Sequence, residues 1–109
     1  MIFTDSGALS PDHSLTFFLE NKKLMKGRIN KVICNRGGPS ERYNTRLYTD
    51  SGDEMQLSGM TCGKNHRSTK ALIELIKILR DDWGKGMTDE QIKKVCYENN
   101  RVELGYTPS

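Results

Sequence analysis

Cys62, Lys64, His66 and Arg67 share one polar loop, Met60-Thr61-Cys62-Gly63-Lys64-Asn65-His66-Arg67, and this stretch is the part of the chain best equipped for chemistry. Nearby cations and the start of a helix lower a thiol pKa and favour the thiolate. A cysteine nucleophile at Cys62, with His66 or His13 as its base, is therefore chemically permitted. A nucleophile also needs an orienting partner and an oxyanion site, and no residue pattern here supplies either. The expectation is a chain that is not an enzyme, in which no cysteine labels with an unusually low apparent pKa. The same loop places basic groups and hydroxyls at a helix N-terminus, where free backbone amides favour anions. It departs from the phosphate-binding pattern G-x-x-x-x-G-K-[ST], because the upstream glycine is absent and Lys64 is followed by Asn65. That excludes a nucleotide triphosphatase and leaves a weak anion-binding loop beside the plainer reading of an ordinary capped loop.

A second constellation lies between Gly27 and Met60. If that stretch is extended, Arg28, Asn30, Arg42, Asn44, Arg46 and Tyr48 share one strand parity, with Arg36 at the intervening turn. Guanidinium groups pair bidentately with phosphates and carboxylates, and a tyrosine among them offers a ring for stacking. Such a face suits an acidic protein or a single-stranded nucleic acid. A solvated polar face is the plainer alternative, since one aromatic is few for base stacking and Glu41 and Glu54 dilute the charge.

Cofactors are not expected, and neither is a metal. Cys34, Cys62, Cys96, His13 and His66 include no C-x-x-C knuckle and no paired H-x-x-x-H. Three widely spaced cysteines are not a disulfide framework, so a reducing cytoplasm is the default. Seventeen Lys and Arg against fourteen Asp and Glu leave a net charge of +3, too little to imply nucleic acid by magnitude alone. No apolar run is long enough to span a membrane, and no secretion signal is visible.

The elements that must position these groups are legible in outline. Asn35-Arg36-Gly37-Gly38-Pro39-Ser40 and Asp50-Ser51-Gly52-Asp53 are runs of turn formers that divide Gly27–Met60 into three strands of an antiparallel meander. Ile29, Ile33, Tyr43, Leu47, Met55 and Leu57 then face a core. Val32 and Cys34 break the parity, which places a bulge near Val32-Ile33. Ser10-Pro11-Asp12 starts a helix running from Pro11 to about Lys26 with Gly27 as its stop, although Thr16-Phe17-Phe18 favours strand. A helix capped by Ser68 or Thr69 runs to Asp82, and its apolar arc is too wide for one sheet face to cover. Thr88 and Gln91 form a capping box for a short helix ending near Asn99. Val102, Leu104 and Tyr106 alternate with polar residues, leaving room for a fourth strand, while Ile2-Phe3 is either an edge strand or unstructured.

These readings converge on one domain spanning 1–109: an α+β fold in which a three-stranded antiparallel meander, with a short fourth strand allowed, is covered on one face by about three helices. The expected function is a non-enzymatic binding module that engages an acidic protein or single-stranded nucleic acid. Its partner-binding residues are Arg28, Arg36, Arg42, Asn44, Arg46, Tyr48, Lys64, His66 and Arg67. A cysteine-dependent enzyme centred on Cys62 and a self-associating assembly protein are the alternatives. The Thr88 helix, the N-terminal helix and a second copy of the chain compete to cover the wide arc, and the narrow apolar face of the Thr88 helix favours a homodimer.

Overall fold

Among the described residues five short strands carry the fold: β1 (Ile2–Thr4), β2 (Ile29–Asn35), β3 (Thr45–Thr49), β4 (Glu54–Leu57) and β5 (Arg101–Gly105), ordered β1-β4-β3-β2-β5. The computed structural model describes residues 1–5, 10–37 and 42–106. The meander of β2, β3 and β4 is antiparallel as expected. It is not the whole sheet. β5 adds antiparallel to the far side of β2, and β1 adds parallel to β4, so the α+β class stands but the sheet is five-stranded and mixed. The residues of the first turn from Gly38 to Glu41, those of the N-terminal turn from Ser6 onward, and the tail after Tyr106 lie outside the described residues.

A bulge decides which side chains of β2 face inward. Ile29 stands opposite Thr49 and Lys31 opposite Tyr48, which leaves Asn30 as the extra residue. From there Val32 pairs with Leu47 and Cys34 with Thr45, and all four are fully buried. Ile33 falls on the opposite face, between Arg46 and Glu103, yet only 8% of it is exposed. The expected parity is thus corrected: the bulge sits at Asn30, not at Val32-Ile33, and it sends Val32 and Cys34 inward and Ile33 outward. Tyr43, expected to face the core from a strand, precedes β3 and is half-buried.

Three helices cover one face: α1 (Pro11–Asn21), α2 (His66–Trp83) and α3 (Asp89–Glu98). Ser10 accepts the His13 N–H at 3.4 Å and Pro11 occupies the first helical position, so the helical reading of this segment prevails over the strand tendency of Thr16-Phe17-Phe18. The helix ends sooner than expected, passing into a 3-10 turn at Lys22–Leu24. α2 starts earlier than expected. Asn65 caps it by accepting the Ser68 N–H at 3.2 Å, while Thr69 donates to the Gly63 carbonyl at 3.0 Å. α3 has both bonds of its capping box, Thr88 N–H to Gln91 and Gln91 N–H to Thr88.

α2 lies between the other two helices. Its Ala71, Leu72, Ile73, Leu75, Ile76, Leu79 and Trp83 are at most 7% exposed, packed in one core with Phe18 of α1, Ile92 and Cys96 of α3, and Val32, Leu47, Met55 and Leu57 of the sheet. The wide apolar arc is therefore covered within one chain, which removes that reason for pairing with a second copy.

Two buried carboxylates tie the N-terminal segment down. Asp5 accepts from Ser14 at 2.7 Å and from the Ser58 hydroxyl and N–H at 2.8 and 3.0 Å. Asp53 accepts the Lys26 N–H at 2.7 Å and pairs with the Met1 amino group at 2.9 Å. The Lys26 N–H, and then the amino group, hold the Asp53 carboxyl below the usual carboxylate range. A depressed folded-state pKa contributes stability above the unfolded value of about 4, and that contribution is lost as pH falls through the folded value. The denaturant midpoints of wild type and Asp53→Asn are expected to differ most well above the unfolded value of about 4 and to converge as pH falls below it through the folded value. A gap that stays constant across that range would show that the Asp53 charge does not contribute.

Candidate functional site

Four segments meet at one end of the sheet. Past the end of β2, the Arg36 N–H donates to the Asn100 carbonyl at 2.7 Å. The Asn35 N–H donates to the Asn44 carbonyl at 2.9 Å, and Arg101 donates to the Asn35 side chain at 2.8 Å. In the loop before α2, the Gly63 N–H donates to the Cys96 carbonyl at 2.6 Å. These backbone bonds assemble Arg36, Arg42, Asn44, Lys64, His66 and Arg101 at the same end. Glycine is favoured at position 63 by its backbone conformation. Its φ is +94°, and a Cβ there would lie 2.7 Å from an Arg36 guanidinium nitrogen, so the Arg36 side chain lies across this backbone. Rings flank the cations: the Arg42 guanidinium stands 5.5 Å from the Tyr43 ring centre, and the His66 and Tyr97 rings are 5.3 Å apart.

The other expected partner-binding residues go elsewhere, so the basic sheet face does not form as one surface. Arg28 precedes β2 at its opposite end, with its guanidinium 4.5 Å from the Tyr106 ring centre and its N–H on Asp50. At about 3.3 Å per strand residue, that is roughly 26 Å from Arg36. Arg46 and Tyr48 do lie on the open face of the sheet, where they are half-buried. Lys31 sits 5.6 Å from the Tyr48 ring centre, and burial, together with Glu54, pushes the Tyr48 hydroxyl pKa up. Lys31 and Arg101 both pair with Glu103, so charge on this face is largely compensated. Arg67 faces the α1 side of α2, in a shallow groove of about 350 Å³ shared with Asp12, Leu15, Lys70 and Glu74. Buried side-chain atoms without a partner among the described residues are Asn44 Oδ1 and Arg46 Nε.

Position, not ion pairing, separates these groups, since Arg28, Arg46 and Arg67 also lack an acidic partner among the described residues. Among the described residues Arg36, Arg42 and Lys64 take part in no ion pair, whereas Lys22, Lys31, Lys77, Arg80, Lys93 and Arg101 each have an acidic partner. The α2 N-terminus adds its partial positive charge at this end. Asn100, Arg101 and Tyr97 were missed from the sequence. The alternation that allowed a strand after α3 would have placed Arg101 at its start, but nothing local shows which sheet edge it joins.

The three thiols have different surroundings. Cys62 is fully buried, and its pKa is drawn down to about 7, first by the Cys34 thiol beside it, against the cost of burial, and then by the Arg36 N–H and guanidinium. Burial and that same neighbour push the Cys34 thiol up. The cause at Cys62 is neither Lys64 nor His66, whose ring is occupied with Tyr97. Among the described residues, no group of three cysteine, histidine or acidic side chains is placed to hold a metal ion, and no helix is long and apolar enough to cross a membrane. No family model matches this chain, and neither a curated protein nor a solved structure does.

Proposed function

We propose that the chain is a non-enzymatic binding module, acting in the cytoplasm, whose basic end engages an acidic partner, with single-stranded nucleic acid favoured over an acidic protein. The observation that carries this reading is the convergence of Arg36, Arg42 and Lys64 from three separate segments, without an ion pair among the described residues. Three such side chains brought together without an acidic partner are available to phosphates. The flanking rings of Tyr43, His66 and Tyr97 favour nucleic acid, because a base offers a face to stack on and a carboxylate does not.

Fluorescence anisotropy with a labelled single-stranded oligonucleotide of mixed sequence tests this directly. Three phosphate contacts give a slope of about −2 for the logarithm of affinity against the logarithm of salt. The triple variant Arg36→Glu, Arg42→Glu, Lys64→Glu is expected to bind at least about 100-fold more weakly, while Arg28→Glu at the far end changes affinity by less than about threefold. A loss in Arg28→Glu about one third of that in the triple variant on a logarithmic scale would reduce the effect to net charge. Unchanged binding in a triple variant with an intact circular-dichroism spectrum would remove the basic end from the function. Binding to polyglutamate but not to the oligonucleotide would transfer the same site to an acidic protein.

A further inference from the structure

Cys34, Cys62 and Cys96 come from β2, the crossover after β4 and α3, and are all fully buried. Two of them are in register for chemistry. The Cys62 thiol donates to the Cys34 carbonyl at 3.6 Å. Once Cys62 is deprotonated, its sulfur can accept from the Cys34 thiol and from the Arg36 N–H. The backbone around it is fixed by the Gly63 bond to the Cys96 carbonyl at 2.6 Å and by the Thr69 hydroxyl on the Gly63 carbonyl at 3.0 Å. Arg36 is an exposed side chain lying across Gly63, the residue that follows Cys62.

We infer that Cys34 and Cys62 form a redox-active dithiol that reduces a hydroperoxide and closes a disulfide between β2 and the crossover. The Cys62 thiolate attacks one peroxide oxygen; the S–O bond forms as the O–O bond breaks, and the departing alkoxide or hydroxide takes up a proton. The Cys34 sulfur then attacks the Cys62 sulfur; the S–S bond forms, the S–O bond breaks, and hydroxide leaves as water with the Cys34 proton. Two thiols are oxidised by two electrons and the peroxide is reduced to an alcohol, or to water, plus one further water. Cys62 is the attacking group because Cys34 and Arg36 stabilise its thiolate, whereas burial and the Cys62 charge push the Cys96 thiol up to about 12. Because Cys62 is fully buried, attack follows a local opening around it, and hydrogen peroxide, the smallest hydroperoxide, needs the least opening. The site does not depend on the partner-binding reading, since it uses no charge of the basic end except Arg36.

Stoichiometric hydrogen peroxide on the reduced full chain, followed by alkylation under denaturing conditions and mass mapping, tests the inference. The expected product has lost the mass of two hydrogens, retains one alkylatable thiol at Cys96, carries a Cys34–Cys62 bridge, and returns to the starting mass with dithiothreitol. Its rate of formation is expected to rise with a midpoint near pH 7, following the Cys62 thiolate. Cys96→Ser should behave as wild type. Cys34→Ser should stop at a sulfenic acid on Cys62 that a dimedone-type probe captures, and Cys62→Ser should react at least about tenfold more slowly. An unchanged mass, a bridge that includes Cys96, a bridge between two chains, or direct conversion to a sulfinic acid would each overturn the assignment. The wild-type map decides the question even if a variant fails to fold.

Discussion

Replacing Asp5 with alanine is expected to cost about 3–5 kcal/mol of folding stability, read as a large fall in the urea midpoint with an unchanged slope. The Asp5 side chain is fully buried, and its two oxygens receive the Ser14 hydroxyl, the Ser58 hydroxyl and the Ser58 N–H at 2.7–3.0 Å. Each hydrogen bond to a charged group contributes about 1.5–3 kcal/mol, and truncation removes the acceptor of three such bonds at once in a buried site. The loss is shared across the fold, because these bonds join the end of β1, the first turn of α1 and the residue after β4. Gly59 is part of the same closure. Its N–H donates to the Ser14 hydroxyl at 2.8 Å, and a Cβ there would stand 2.4 Å from the Ser10 carbonyl oxygen. Asp5→Asn should retain part of the stability by keeping the shape and one acceptor. Glu20→Ala, on the exposed face of α1, should stay within about 0.5 kcal/mol of wild type. A loss at Asp5→Ala no larger than that at Glu20→Ala would show that the carboxylate is not holding these segments together.

Phe18→Ala is expected to cost a comparable amount, about 3–5 kcal/mol, through the cavity it leaves between α1 and α2. Phe18 is fully buried in the main core, whereas its neighbour Leu19 is 45% exposed. Leu19→Ala should cost less than about 1 kcal/mol. Equilibrium unfolding in urea measures both, and similar losses at the two positions would contradict the rotation of α1 about its axis. The comparison is informative because Thr16-Phe17-Phe18 looks like a strand when read locally. A 3.6-residue period buries Ser14 and Phe18 on one side and leaves Thr16 and Leu19 exposed, and Ser10 with Pro11 supplies the start that a strand would not need.

Local chemistry in the sequence determined the parts of this protein that depend on neighbours along the chain. Thr88 and Gln91 cap α3, Ser10 and Pro11 start α1, the apolar period of α2 marks a helix buried on most of its circumference, and Asp50-Ser51-Gly52-Asp53 turns β3 into β4. Each needs only residues a few positions apart, which is why it was legible. Only the tertiary structure decided the rest. Whether Val32 or Ile33 faces the core hung on one extra residue at Asn30, because side chains alternate with a period of two and a single bulge reverses everything beyond it. β1 and β5 joined the sheet through bonds to strands 52 and 66–74 positions away in sequence, which no local pattern encodes. The site divided for the same reason. Arg28, Arg42 and Arg46 share a parity on paper, but only Arg46 lies in a strand, while Arg36, Lys64 and Arg101 meet because the backbones of Arg36 and Gly63 and the side chain of Arg101 hydrogen-bond at one end of the sheet. Cys62 was read beside Lys64 and His66, its neighbours in sequence. The group that changes its chemistry is Cys34, 28 residues away and brought into contact by the crossover from β4 to α2.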